Sequence, residues 1–200
     1  MAKKKPQDNE RERTLIQLCG LIGSNDNRIG TDAKDEDSRE YELKTTTKSG
    51  VSTARDVGLN HLAKWRRLIW ICSRGHYDEY DTFHFGTTFL LFPEDLEPWF
   101  TEIEAKVTAN DALVGRVVDL LANNGFNQQE IETLQYVFQR GVLLNDPNIP
   151  WSFIEANGKE LTGDYAQALR KIVANRESSQ SSTHQVQQAS LNVLFEEAQA

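Results

Sequence analysis

The stretch "GTDAKDEDSREYELKTTT", residues 30–47, decides how the rest of the chain is read. From Glu40 onward it alternates charged and apolar side chains and ends in three threonines, the pattern of a β-strand. Residues two apart on a strand share a face, so Glu42 and Lys44 project together while Tyr41 and Leu43 point the other way. Asp32 lies ten residues before Glu42, across the loop "AKDEDSR", and a hairpin closed by that loop brings the two carboxylates side by side. Two hard oxygen ligands, with the remaining positions left to water and a phosphate oxygen, suit Mg²⁺. Such an ion lowers the pKa of a bound water, and Lys44 is placed to orient that nucleophile and stabilise developing negative charge. The ordinary alternative is a solvated strand face carrying a cross-strand ion pair. Asp35, Glu36 and Asp37 offer further carboxylates, read as an exposed acidic turn.

Upstream, "NERERTLIQLCGLIG" has helical periodicity, with Leu15, Leu18 and Cys19 on one side and glycines at its end. A polar turn region, "SNDNRIGTDAKDEDS", separates it from the strand. Downstream, "KSGVST" reads as a turn and "ARDVGLNHLAKWRR" as a helix carrying Leu59, Leu62 and Trp65. "LIWICSR" is a continuous apolar run, hence a buried strand. "YDEYDTFHFGTTFLLF" reads as a hairpin with Gly86 near its turn. Pro93 opens a helix over "EDLEPWFTEIEAKV", its acids placed where the N-terminal dipole favours them. From about residue 108 the pattern becomes helix–turn–helix, with Val114, Val117, Val118 and Leu121 at packing positions. "NDPNIPWSFIEANGKEL" is a proline-containing loop leading to a short element, "DYAQALRKIVANRE" a helix, residues 178–190 a polar linker, and "LNVLFEEAQA" a short terminal helix. No internal repeat is present.

At 200 residues the chain suffices for one domain with a real core, and no apolar run reaches the length of a membrane span. The start is basic without the apolar stretch of a signal peptide. Two cysteines without metal-type spacing, Cys19 and Cys72, read as reduced core residues of a cytoplasmic protein. The net charge of −8 hides an uneven distribution: residues 44–76 hold seven lysines and arginines against Asp56 alone. One basic segment can meet a polyanion while the acidic remainder maintains solubility. The four histidines form no ligand cluster and are read as structural or exposed.

The Asp32, Glu42 and Lys44 spacing, followed by "ST", "AKWRRLIW", "LFPEDLE" and "NDPNIPWSFIEANGKEL" in order, resembles the PvuII-like type II restriction endonucleases of the PD-(D/E)xK nuclease superfamily. "QDN" at residues 7–9 extends the likeness, which runs from about residue 7 to 161 with an insertion near 105–140. The resemblance implies an α/β (α+β) fold, a mixed central sheet flanked by helices, with additional C-terminal helices. It implies a catalytic and recognition domain over 1–161 carrying a helical insertion at about 105–143, and a helical extension over 162–200. Asp32 and Glu42 fall on the family's metal-binding carboxylates, the Leu43 carbonyl on a further ligand, and Lys44 on its catalytic lysine. Trp65 stands where the family has a tyrosine beside the metal-bound water. An indole donates a hydrogen bond but has no acidic hydroxyl, and packing is the other reading of Trp65.

"STARDVG" falls on the segment that reads bases in the major groove. There Arg55 is suited to guanine O6 and N7, and Asp56 to cytosine N4 or to bracing the arginine; Ser52 and Thr53 reach base edges or form the turn. Asn145 and Asp146 fall on a pair of asparagines that contact adenine. Asp146 lacks the donor half, which implies a different or degenerate recognition sequence. Asp8 falls on a minor-groove residue, and Lys64, Arg66 and Arg67 would meet phosphates or solvate a helix face. The implied activity is Mg²⁺-dependent cleavage of double-stranded DNA at a short palindrome by a homodimer, with a DNA methyltransferase guarding the host's own sites. Helices at 108–143 or 163–200 would replace the family's dimerising arm. The competing readings are a repair or junction-resolving nuclease on the same core, and a catalytically silent DNA-binding dimer.

Overall fold

A computed structural model describes residues 8–24, 31–144 and 146–179. Its centre is a six-stranded mixed sheet in the order β1-β2-β3-β5-β6-β8, with a separate two-stranded ribbon, β4-β7. The chain runs α1 (Asp8–Leu18), β1 (Ile22–Gly23), β2 (Ala33–Lys34), β3 (Glu40–Thr46), β4 (Gly50–Ser52), α2 (Leu59–Trp65), β5 (Ile69–Tyr77), β6 (Phe83–Leu91), α3 (Pro93–Asn123), α4 (Gln128–Val142), β7 (Asn148–Pro150), α5 (Trp151–Asn157), β8 (Lys159–Glu160). A last helix, α6, covers 165–179. Among the described residues only β3 and β5 pair in parallel, Glu42 opposite Trp70 and Lys44 opposite Cys72; β4 and α2 form the crossover between them. This is the mixed α/β architecture expected from the sequence.

The alternation in β3 sorts residues into two apolar layers. Tyr41 and Leu43, both fully buried, pack with Leu15 and Cys19 at the end of α1 and with Leu169 and Val173 of α6. On the opposite face Trp70 and Cys72 pack with Leu62 and Trp65 of α2, Leu96, Trp99 and Phe100 of α3, and Trp151 of α5. Both cysteines are free and buried, and burial pushes their thiols up to about 12. Glu42 emerges on the second face at 6% exposure, so this strand face is covered and the alternative of a solvated face does not hold at Glu42.

Several expectations shift by identifiable causes. The helix expected from Ala54 begins at Leu59, because the Val57 amide donates to the Leu144 carbonyl at 2.8 Å and Asp56 adopts φ 54. Leu59 and Leu18, expected inward, are 43% and 44% exposed. The β5–β6 turn lies at residues 78–82, where Asp78 Oδ1 accepts from the Tyr80 and Thr82 amides, both at 2.9 Å. Gly86 lies within β6 instead, opposite a bulge at Ser73–Gly75; a Cβ there would stand 2.8 Å from the Arg74 carbonyl oxygen. It serves a close backbone approach, not a turn.

The break expected near residue 108 is absent: α3 runs unbroken from 93 to 123. Val107 and Val114 keep one buried face, and Asn110 donates its amide to the Val142 carbonyl at 2.5 Å. Asn110 thus joins α3 to the end of α4. Val114 is packed as expected, whereas Val117, Val118 and Leu121 are half-buried. The first two residues of the expected linker, Ser178 and Ser179, belong to α6; the remainder and the terminal helix lie outside the described residues. Among the described residues no helix is long and apolar enough to cross a membrane.

Candidate active site

The site forms because β2 is only two residues long. The Asp32 amide donates to the Tyr41 carbonyl at 3.0 Å and its own carbonyl accepts from Ser24 at 2.9 Å, so its backbone continues both ladders. Beyond it, β3 has no strand partner on that edge among the described residues, and the Leu43 amide donates to Asp32 Oδ2 at 2.7 Å. A strand residue sends its N–H and C=O to the same edge, so the Leu43 carbonyl also leaves β3 on the Asp32 side. Lys44 Nζ stands 2.5 Å from Glu42 Oε1, with the two side chains 16% and 8% exposed. Asp32, Glu42, Leu43 and Lys44 are thus brought together.

Burial pushes the Glu42 carboxyl above its ordinary range, with Lys44 pulling it down and Asp32 adding to the rise. For Lys44 burial alone favours the neutral amine, but Glu42 and Asp32 override it and hold the ammonium above its ordinary value. Lys44 is therefore charged at neutral pH. Lys64 also lowers the Glu42 carboxyl, which places α2's cation within reach of the same site. Among the described residues no three His, Cys, Asp or Glu side chains converge as a metal-holding group. The available donor set is two carboxylates and a strand carbonyl, which fits a hard divalent ion that keeps water ligands and does not fit an all-protein cage.

The sequence reading missed Glu12. It lines a polar cleft of about 390 Å³ together with Arg11, Lys44, Thr45, Thr46, Thr47, Lys48, Gly50, Ser52, Thr53, Arg55 and Asp146. Burial pushes its carboxyl up to about 7; Asp32 and Glu42 add to the rise and Lys44 opposes it. A signal was present, since Glu12 shares the i, i+3, i+7 stripe of α1 with buried Leu15 and Cys19. The native state keeps a proton on Glu12 after the unfolded chain has lost it, so this group costs stability as pH rises from its ordinary 4.5 through about 7. Glu12→Gln is expected to raise the urea midpoint relative to wild type at pH 8 and to lose that advantage at pH 4. An equal difference at both values would show that Glu12 does not titrate in this window.

The cleft joins Lys44 to the expected recognition residues. Ser52 and Arg55 are exposed on its wall, and Thr53 donates its hydroxyl to the Pro147 carbonyl at 2.9 Å. Asp56 Oδ2 lies 3.7 Å from Nη2 of Arg140 in α4. Asp146 is exposed, its amide donating to the Ala54 carbonyl at 2.9 Å; Asn145 lies outside the described residues. Asp8 is the first residue of α1.

Trp65 takes its packing role: it is 4% exposed among Trp70, Trp99 and His61, with ring centroids at 5.6, 6.2 and 5.8 Å. It is not among the residues that line the cleft. Arg66 is bound to Glu97 and Glu104 of α3 at 2.9 and 2.7 Å, while Arg67 is exposed. The acidic turn is not simply solvated, because Asp35 accepts from Arg39 and from the Tyr41 hydroxyl, both at 2.9 Å. His84 bonds Asp78 at 2.8 Å and stacks on His76 at 5.5 Å; His184 lies outside the described residues.

The model of a family described as restriction endonuclease PvuII matches residues 6–116, a span holding β1 to β6, Asp32 and Glu42, the cleft's Glu12, Lys44 and Arg55, and most of α3. No curated protein matches the chain.

Proposed function

We propose that this chain, which belongs to the restriction endonuclease PvuII family, is a type II enzyme that hydrolyses phosphodiester bonds of double-stranded DNA at one short sequence, with Mg²⁺ as its cofactor. The family generally works with divalent metals. The observation that carries the reading is the single cleft in which Lys44 and Glu12 share walls with Ser52, Thr53 and Arg55. Chemistry and base contact need to lie a few ångströms apart on one duplex, and this cleft provides both.

Asp32, Glu42 and the Leu43 carbonyl would hold the ion. When bound, the ion polarises the scissile phosphate and makes water a stronger nucleophile at neutral pH. Lys44, kept cationic by Glu42 and Asp32, orients the attacking water and meets the charge that accumulates on the phosphoryl oxygens. Arg55 on the cleft wall grips guanine through two hydrogen bonds. The basic segment 44–76 offsets duplex charge, while the chain's overall −8 limits sequence-independent binding.

A palindromic target calls for two protomers related by a two-fold axis. The helical insertion supports that assembly, exposing Leu113 and Leu120 on α3, Phe126 in the turn, and Tyr136, Val137 and Phe138 on α4. In this reading the enzyme works in a prokaryotic cytoplasm beside a matching DNA methyltransferase.

The test is incubation of the purified protein with mixed plasmid DNA and Mg²⁺. Discrete fragments whose ends share one sequence are expected, and chelation stops the reaction. A smear, or intact DNA, removes the sequence-specific assignment. Light scattering after size exclusion, under cleavage conditions, is expected to give the mass of a dimer; a monomer alone refutes the two-fold assembly.

A further inference from the structure

The DNA-reading loop does not stand alone. Val51 and Ser52 of β4 pair with Ile149 and Asn148 of β7, Thr53 bonds Pro147, Ala54 bonds Asp146 and Val57 bonds Leu144. Residues 50–57 are thus joined along their length to residues 144–150, the segment that follows α4. Asp56 and Asp146, one on each side of this seam, adopt φ 54 and 48. That left-handed conformation is uncommon for a residue with a side chain, though aspartate is among the types that tolerate it.

Arg140 in the last turn of α4 reaches this seam. Its Nη2 lies 3.7 Å from Asp56 Oδ2, with the two side chains 60% and 49% exposed. Its Nη1 donates to the Tyr136 hydroxyl at 3.1 Å, and the guanidinium lies 5.9 Å from the Tyr136 ring centroid. A side chain steadied from two sides at such exposure is notable, because an ion pair this open contributes little to folding. Its effect falls on Asp56. A carboxylate facing a duplex is repelled by phosphates that recur about every 1.7 Å along the axis. A cation held beside it cancels that charge and fixes the direction of its oxygens.

We infer that Arg140 is a specificity-determining positioning residue: it holds the Asp56 carboxylate beside Arg55, so that α4, outside the matched residues 6–116, forms part of the base-reading surface. This rests on the cleft being the DNA site. With Asp56 aimed, its oxygens accept from cytosine N4 while Arg55 takes guanine. A mispaired approach then leaves a fixed carboxylate against an acceptor, which disfavours the wrong base.

The experiment uses the full chain on a pool of duplexes with randomised centres, and sequencing of the cut ends gives the ratio of preferred sites to their one-base neighbours. Arg140→Ala is expected to lower that ratio about tenfold at an unchanged thermal midpoint. Arg140→Lys restores part of it, since the charge returns without the planar fork. Asp56→Asn lowers it comparably, and the double variant is no worse than the poorer single one, as expected of residues acting through one contact. An unchanged ratio in Arg140→Ala overturns the inference while leaving the nuclease reading intact. So does a uniform loss of binding with a salt dependence reduced by about one phosphate, which makes Arg140 a backbone contact. A lower thermal midpoint accompanying the lower ratio also overturns it, as a structural effect. A wild type that cuts no duplex in the pool removes the nuclease reading and this inference together.

Discussion

Lys44→Ala is expected to lower the rate of DNA cleavage by about 10³-fold or more, the scale of losing a preorganised charge at the transition state, while binding of the preferred duplex remains measurable. The same substitution carries a stability signature that a surface lysine would not. Glu42 is 8% exposed on its side chain and has Lys44 at 2.5 Å. Removing the ammonium leaves a buried carboxyl whose rise above the ordinary range Lys44 no longer opposes. In the variant Glu42 stays protonated in the native state over a wider range than in the unfolded chain. The variant's stability therefore falls as pH rises through that range. The loss relative to wild type reaches about 3–5 kcal/mol at pH 8 and shrinks toward pH 5 as the native Glu42 takes up its proton. Denaturant midpoints at the two values measure it. Residual cleavage should rise with pH as Glu42 ionises. A variant that cuts at the wild-type rate places the chemistry elsewhere, and one with a pH-independent stability loss shows that Glu42 is not the partner that suffers.

The difference between what the sequence displays and what it conceals follows the range of the interactions. Residues 40–46 carry a period of two, and the ten residues between Asp32 and Glu42 hold a loop long enough to fold the chain back; strand and hairpin site follow from local pattern. The resemblance to a nuclease family then gave roles to the same residues, and the family match covers them. What stays hidden is mostly non-local. Thr53 and Pro147 are 94 positions apart, and nothing in either segment announces a seam that pins the loop and shortens α2 to Leu59. Gly86 illustrates a second limit. A glycine is read first as a turn, but the β5–β6 bulge needs one wherever two backbones approach closely. In α3, Thr108, Asn110 and Asp111 have weak helix propensity, and the contact of Asn110 with Val142 outweighs it. Glu12 was legible in principle as a carboxylate on a buried stripe, yet its meaning depends on Asp32 and Lys44, which no local pattern ties to α1.

Asp32 performs two functions that a pair of substitutions separates, and this gives the second large effect. One carboxylate oxygen accepts the Leu43 amide at 2.7 Å, completing β3 where β2 has ended. The charge of the group acts on the cleft, raising both the Glu12 carboxyl and the Lys44 ammonium. Asp32→Asn keeps an amide oxygen able to accept from Leu43 and removes the charge; Asp32→Ala removes both. Asn is expected to fold with nearly wild-type stability, whereas Ala costs about 1–3 kcal/mol for the orphaned Leu43 amide. Cleavage falls equally in the two, by about 10³-fold, because a neutral side chain is a poor ligand for a hard ion and several kcal/mol of transition-state stabilisation depend on it. Both variants also lower the pH at which Glu12 titrates, since the Asp32 carboxylate no longer adds to the rise; NMR of the Glu12 side chain reads this without any cleavage assay. If Asn cuts normally while Ala does not, Asp32 is a strand-capping residue and the ion is held elsewhere. If both lose cleavage but Glu12 titrates as in wild type, the two carboxyls do not share a field, and the cleft is not the single charged unit through which Lys44 would meet the phosphate.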